Sequence, residues 1–150
     1  MNLFSSFSIK ISCIIFLFSC VPADTRDEVV FGKHFRIEYD QVVRLEDGTE
    51  VTFLDLKRDT RCPEDAICLY DGEATILITL TRGDSLGDVF DITIPGFVDR
   101  YSREGHGIRE HWNYRFTLLQ LDPYPLPDYS EPKQHYVATI IVDTIGQEQE

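Results

Sequence analysis

Cations, long apolar runs and helical periodicity are all scarce in this chain, and each shortage closes off a class of function. Only 14 Lys and Arg stand against 26 Asp and Glu, a formal charge of −12. Such a surface repels the phosphates of nucleic acid, and no basic groove or Arg/Lys-rich stretch offsets it, so no nucleic-acid partner is expected. The main apolar run, residues 11–19, belongs to a stretch of about ten apolar positions, roughly 15 Å as a helix and too short to cross a bilayer. No segment repeats apolar residues at three and four, which argues against helices covering a sheet. There is no Gly-x-Ser-x-Gly elbow, no pair of histidines at one-turn helical spacing and no internal repeat. The acids in turns, among them Asp84, Asp88 and Asp122, do not form the alternating-oxygen loop of a calcium site. No cofactor and no metal are expected on these grounds.

What is present begins at the N-terminus. Lys10 is the only charge ahead of Ile11-Ser12-Cys13-Ile14-Ile15-Phe16-Leu17-Phe18-Ser19, which closes on Cys20. A positive start, a short hydrophobic stretch and a small residue at the cut read as a cleaved signal. Leu17-Phe18-Ser19-Cys20 resembles the signal of bacterial lipoproteins. That resemblance implies a lipid (palmitate) on the Cys20 sulfur and a chain tethered outside the cytoplasm at the cell envelope, on the outer membrane. The alternative is ordinary secretion. The expected layout is a signal peptide at 1–19, a tether at 20–28 and a single β domain at 29–146. Loss of the leader takes Lys10 and no acid, so the remainder is still more acidic and should meet the lipid bilayer through the attached lipid rather than a charged face.

In an exported chain, Cys62 and Cys68 read as a disulfide rather than a metal pair. The four histidines (His34, His106, His111, His135) are scattered and lack the spacing of a structural zinc site. Cys13 leaves with the leader, and a lipid on Cys20 would leave no free thiol.

Beyond the tether the period is two. Phe35, Ile37 and Tyr39 alternate with charges; Val42 to Leu45 precedes an Asp47-Gly48 turn; Val51 to Lys57 has apolar residues on both sides, which suggests a strand covered on both faces or near an edge. Ala74 to Leu80 and Val89 to Ile94 alternate: Ile76, Ile78 and Leu80 face one way against Thr75, Leu77 and Thr79, and Phe90, Ile92 and Ile94 face inward. Arg82 to Ser85 is a polar turn. Residues 97 to 113 show no alternation and read as a long loop, followed by strands from Tyr114 to Leu121 and His135 to Ile145. Pro123 to Pro127 cannot supply a regular ladder. Seven or so short strands predict an all-β, two-layer antiparallel β-sandwich, immunoglobulin-like or jelly-roll-like, with a small β-barrel as the alternative.

The segment Asp59-Thr60-Arg61-Cys62-Pro63 … Cys68-Leu69-Tyr70-Asp71-Gly72 resembles a group of uncharacterised bacterial exported proteins and lipoproteins. These carry an Asp-Ser-Arg-Cys-Pro…Cys…Gly signature, here with Thr60 for Ser. Leu121-Asp122-Pro123-Tyr124-Pro125 and Tyr136 to Val142 look like that group's closing part. The resemblance implies a small β-sandwich-like domain at the cell envelope and no established reaction. On the residues themselves, Pro63 presets one backbone angle and Gly72 can take a positive φ. Asp59 could accept backbone N–H groups, and Arg61 could fork onto a carboxylate or carbonyl. This set reads as a staple fixing the crossover between strands.

Function is less legible. The leading expectation is a non-catalytic binding or accessory module, using the 97–113 loop with His106, His111, Trp112 and Tyr124 for an envelope protein or glycan. A purely structural envelope component is one alternative. A small metal-dependent hydrolase is the other, if His106, His111 and a carboxylate of the 104–111 segment converge.

Overall fold

The computed structural model describes residues 28–63, 65–96, 106–126 and 132–146. The leader, Cys20, most of the tether and residues 97–105 of the expected loop lie outside the described residues.

Nine strands are found there: β1 (Glu28–Val29), β2 (His34–Glu38), β3 (Val42–Leu45), β4 (Glu50–Asp59), β5 (Glu73–Thr81), β6 (Asp88–Pro95), β7 (Gly107–His111), β8 (Tyr114–Asp122) and β9 (Val137–Thr144). They form two sheets, ordered β1-β3-β4-β5-β6 and β2-β9-β8-β7, packed face to face as a β-sandwich. Neither closes into a barrel. All pairings are antiparallel except β1 with β3, where Glu28 and Val29 run parallel to Arg44 and Leu45.

The core is the inner face of each strand. Phe53, Ile76, Ile78, Leu80, Phe90 and Ile92 of the first sheet meet Ile37, Phe116, Leu118, Ile140 and Val142 of the second, all buried. Phe90 and Phe116 touch across the gap with ring centroids 4.9 Å apart. The β5 and β6 stretches face inward on the residues their alternation predicts, because strict period two leaves only one apolar face to bury.

Two strands depart from that rule for one reason. In β4, Phe53 pairs with Ile78 and Asp55 with Leu77, so Leu54 is an extra residue. The β-bulge flips the phase: Val51 and Phe53 point inward before it, Leu56 after it. The apolar residues on both sides of β4 therefore record a bulge rather than cover on both faces. In β8 the shift falls between Leu118 and Gln120. It brings Leu121 back inside with Tyr114, Phe116 and Leu118, all fully buried.

The expected loop at 97–113 is corrected over its second half. Gly107–His111 is an edge strand pairing residue by residue with β8, and Trp112-Asn113 is the tight link between them. Its middle residues Ile108, Arg109 and Glu110 are exposed, so no alternation marked it in the sequence.

Candidate functional site

Polar side chains gather at both ends of the sandwich, separated by the length of β4, roughly 30 Å at about 3.3 Å per residue. One end carries the cysteine loop, which is the head of the β4–β5 hairpin. The staple therefore joins two neighbouring strands rather than a crossover. Cys62 and Cys68 are disulfide-bonded with Cα atoms 5.9 Å apart. Below the bridge the ladder continues: the Thr60 amide donates to Glu73 O at 2.8 Å, and the Cys62 amide to Asp71 O at 2.9 Å. Gly72 sits at φ +70, and a Cβ there would lie 1.8 Å from Thr60 O. The Gly96 amide donates to Gly72 O at 2.9 Å. A Cβ on Gly96 would lie 1.7 Å from Asp71 O, so this close approach excludes any side chain.

Beneath the loop, Arg61 joins the two sheets. Its Nε and Nη2 donate to the two oxygens of Asp59 at 2.9 and 2.7 Å. Nη1 and Nη2 also reach across to the carbonyls of Leu121 (2.6 Å) and Pro123 (2.8 Å), at the end of β8 and just beyond it. The guanidinium lies 4.2 Å from the Tyr124 ring centroid, and the Tyr124 hydroxyl donates to Gly96 O at 2.7 Å. Asp59 further accepts from the Arg61 amide and the Tyr136 hydroxyl, each at 3.1 Å. Burial works against the Arg61 charge, but the hydrogen bonds and charge of Asp59 outweigh it and hold the guanidinium above its ordinary pKa. The pair is dry: side-chain exposure is 1% for Arg61 and 6% for Asp59. So Arg61 grips a carboxylate and two carbonyls together, which requires a planar five-donor fork.

Above this base the loop is open. Ile67 and Leu69 are as exposed as in an extended peptide, and Tyr70 is 85% exposed. Residues 67–70 belong to no strand, and their side chains and backbone make no hydrogen bond to any described residue. Beside them Asp65, Asp122, Pro123, Tyr124, Pro125 and Leu126 line an open cleft of about 310 Å³.

The opposite end holds a second polar knot. Arg82, at the start of the β5–β6 turn, donates to Thr49 Oγ1 (3.0 and 2.7 Å), to Asp47 (2.8 Å) and to the Tyr114 hydroxyl. Tyr114 donates to Asp47 and lies 2.9 Å from Thr49 Oγ1. Partial burial opposes charge on Asp47, but hydrogen bonds from Tyr114 and Thr49 and the nearby Arg82 prevail and lower its pKa. Burial, then the bond to Asp47, raises that of Tyr114. Next to this knot, Asp88 accepts from Trp112 Nε1 and His111 Nε2–H, both at 3.0 Å, and those two bonds hold its pKa below the ordinary value. His111 stacks on Phe90 at 4.5 Å, and Arg82 lies 5.8 Å from the Trp112 ring. Trp112 sits at φ +53, a left-handed conformation uncommon for a bulky residue.

These positions correct several expectations. Of His106, His111, Trp112 and Tyr124, only His111 and Trp112 come together; Tyr124 is at the other end. Trp112 and Tyr124 therefore do not share one binding surface. His106 precedes β7, with Nδ1 buried and unpartnered among the described residues, while His111 closes that strand about 16 Å further on. No group of three His, Cys, Asp or Glu side chains able to hold a metal occurs among the described residues. The knot of Asp47, Thr49, Arg82 and Tyr114 had no sequence signal, because its members come from three hairpins. The exposed tip did have one: Leu69-Tyr70 follows the second cysteine outside any alternation. A second shallow cleft of about 440 Å³ lies on the solvent face of the first sheet, between Lys57, Arg58, Thr75, Asp91 and Thr93.

No protein-family model, curated protein or solved structure matches this chain. Among the described residues no helix is long and apolar enough to cross a membrane.

Proposed function

We propose that this chain is an exported cell-envelope lipoprotein, anchored through Cys20, that serves as a non-catalytic protein-binding module. Its contact surface is the head of the β4–β5 hairpin. One observation carries the reading: three large apolar side chains stand in water on a loop whose base is fully bonded. Exposed apolar surface costs solubility, and holding it on a rigid support is how a docking site limits the ordering cost of binding. Immunoglobulin-like and jelly-roll sandwiches carry binding loops at their strand ends in the same way, and we take this sandwich to be of that kind. The Asp-x-Arg-Cys-Pro…Cys…Gly resemblance fits the reading, since its residues are those that build the base of the loop.

Intact-mass measurement of the protein recovered from its own membrane tests the address. The expected mass is that of a chain beginning at an acylated Cys20 and lacking two hydrogens at Cys62 and Cys68. A photo-crosslinker at Leu69, compared with one at Leu86 on the opposite turn, tests the surface. Crosslinks confined to position 69 support binding. Equal silence at both favours a structural envelope component.

A further inference from the structure

We infer that the loop inhibits endopeptidases that take a large apolar residue, presenting Leu69 as the primary side chain and Leu69–Tyr70 as the bond offered. This rests on the binding reading above and names the partner's chemistry.

Four features point to it. Residues 67–70 keep their backbone N–H and C=O groups free of described partners, as a segment must if it is to pair with the edge of a peptide-binding cleft. The chain bends at Leu69 and Tyr70, and there the side chains of Ile67, Leu69 and Tyr70 all stand in water. Both flanks are tied. Cys68 is held by its disulfide to Cys62, and two residues past Leu69 the ladder resumes at Asp71 and Gly72 through the amides of Cys62 and Gly96. Arg61 and Tyr124 then fix that base to the second sheet.

The double tie separates an inhibitor from a substrate. If a bound peptidase added water across the Leu69 C–Tyr70 N bond, the new carboxylate and amine would remain anchored by different supports. Neither product half could diffuse away, so the cut would be reversible and the complex long-lived. Preorganisation also lowers the ordering cost of binding, which is how inhibitors of this kind reach high affinity over an ordinary interface. Asp65 and Asp71 flank the tip, while Glu73 is already paired with Arg58. The favoured target therefore carries a positive rim.

The test uses the purified chain with its disulfide intact against chymotrypsin, whose primary pocket is apolar, and trypsin, whose pocket wants a cation. Competitive inhibition of chymotrypsin and none of trypsin is expected. Leu69→Ala should weaken the first about a hundredfold, as for a central apolar anchor. Leu69→Lys should transfer inhibition to trypsin, a switch that loss of folding cannot mimic. Reduction of the disulfide should convert the loop into a substrate cut after Leu69. Cleavage of the intact protein at the rate of its reduced form, or no inhibition of either enzyme, overturns the inference. If inhibition is absent while crosslinks persist at position 69, the inhibitor assignment falls and the binding module stands. If both are absent, both fall.

Discussion

The two ends of the sandwich use the same ingredients, an arginine, an aspartate and a tyrosine hydroxyl, yet one knot is sealed and the other wet. Arg61 and Asp59 are 1% and 6% exposed, whereas Arg82 and Asp47 are 49% and 32% exposed. The contrast follows from desolvation. A dry ion pair is tolerable only when it is well hydrogen-bonded, and Arg61 places four of its five side-chain N–H groups on two carboxylate oxygens and two carbonyls. Arg82 keeps water as a partner, so its bonds exchange with solvent and stabilise less. The sealed end can therefore act as a foundation. Above it the chain exposes Ile67, Leu69 and Tyr70 together; at the wet end Leu86 is exposed as well, but Asp47, Thr49 and Arg82 of the turns bond to each other.

The largest expected effect breaks the sealed knot. Arg61→Ala should cost about 3–5 kcal/mol, because it leaves Asp59 charged, buried and unpaired. Arg61→Lys should recover only part of that, since one ammonium cannot serve both sheets. Chemical denaturation checks both. Cys62→Ser comes next, at about 2–3 kcal/mol on loop-closure entropy, with the β-sheet circular dichroism retained. Unchanged stability on reducing the wild type would contradict it. Gly96→Ala should be destabilising too, since the Asp71 carbonyl must move, and the Gly96–Gly72 and Tyr124–Gly96 bonds should loosen together in amide exchange. At the wet end Arg82→Ala should cost under about 1 kcal/mol.

The smallest effect is read as a pH dependence. The folded pKa of Asp47 lies below the ordinary aspartate value, because its partial burial is outweighed by hydrogen bonds from Tyr114 and Thr49 and by the nearby Arg82. Its contribution is thus fully present above the unfolded pKa and is lost as pH falls through the lower, folded one. Asp47→Asn should flatten the stability profile below about pH 4 and leave its neutral shape unchanged. An acid limb identical to that of wild type would show that the knot contributes nothing through this group.

How much could be read beforehand varied with how local the signal was. Val89 to Ile94 and Ala74 to Leu80 were legible, since a single apolar face with period two has only one way to be buried. The roles of Asp59, Arg61 and Gly72 were legible in kind: a carboxylate two residues before an arginine can fold back on it, and the turn demands φ of +70. The far partners of Arg61 were not, because Leu121 and Pro123 offer backbone carbonyls, which carry no side-chain signature. β7 stayed hidden since an edge strand with solvent on its exposed face need not alternate. The bulges at Leu54 and Leu119 were present only as misplaced apolar residues.

Composition and local pattern by themselves determined an acidic, strand-built chain with one short cysteine loop, since charge, β-branching and turn chemistry act within a few residues. Only the tertiary structure decided which strands became neighbours, which arginine was sealed and which wet, and that the loop's apolar tip faces water. Those outcomes depend on contacts between segments far apart in the chain, such as Tyr136 with Asp59, 77 residues away. Burial, the quantity that sets the worth of each bond, exists only once both sheets have closed on each other.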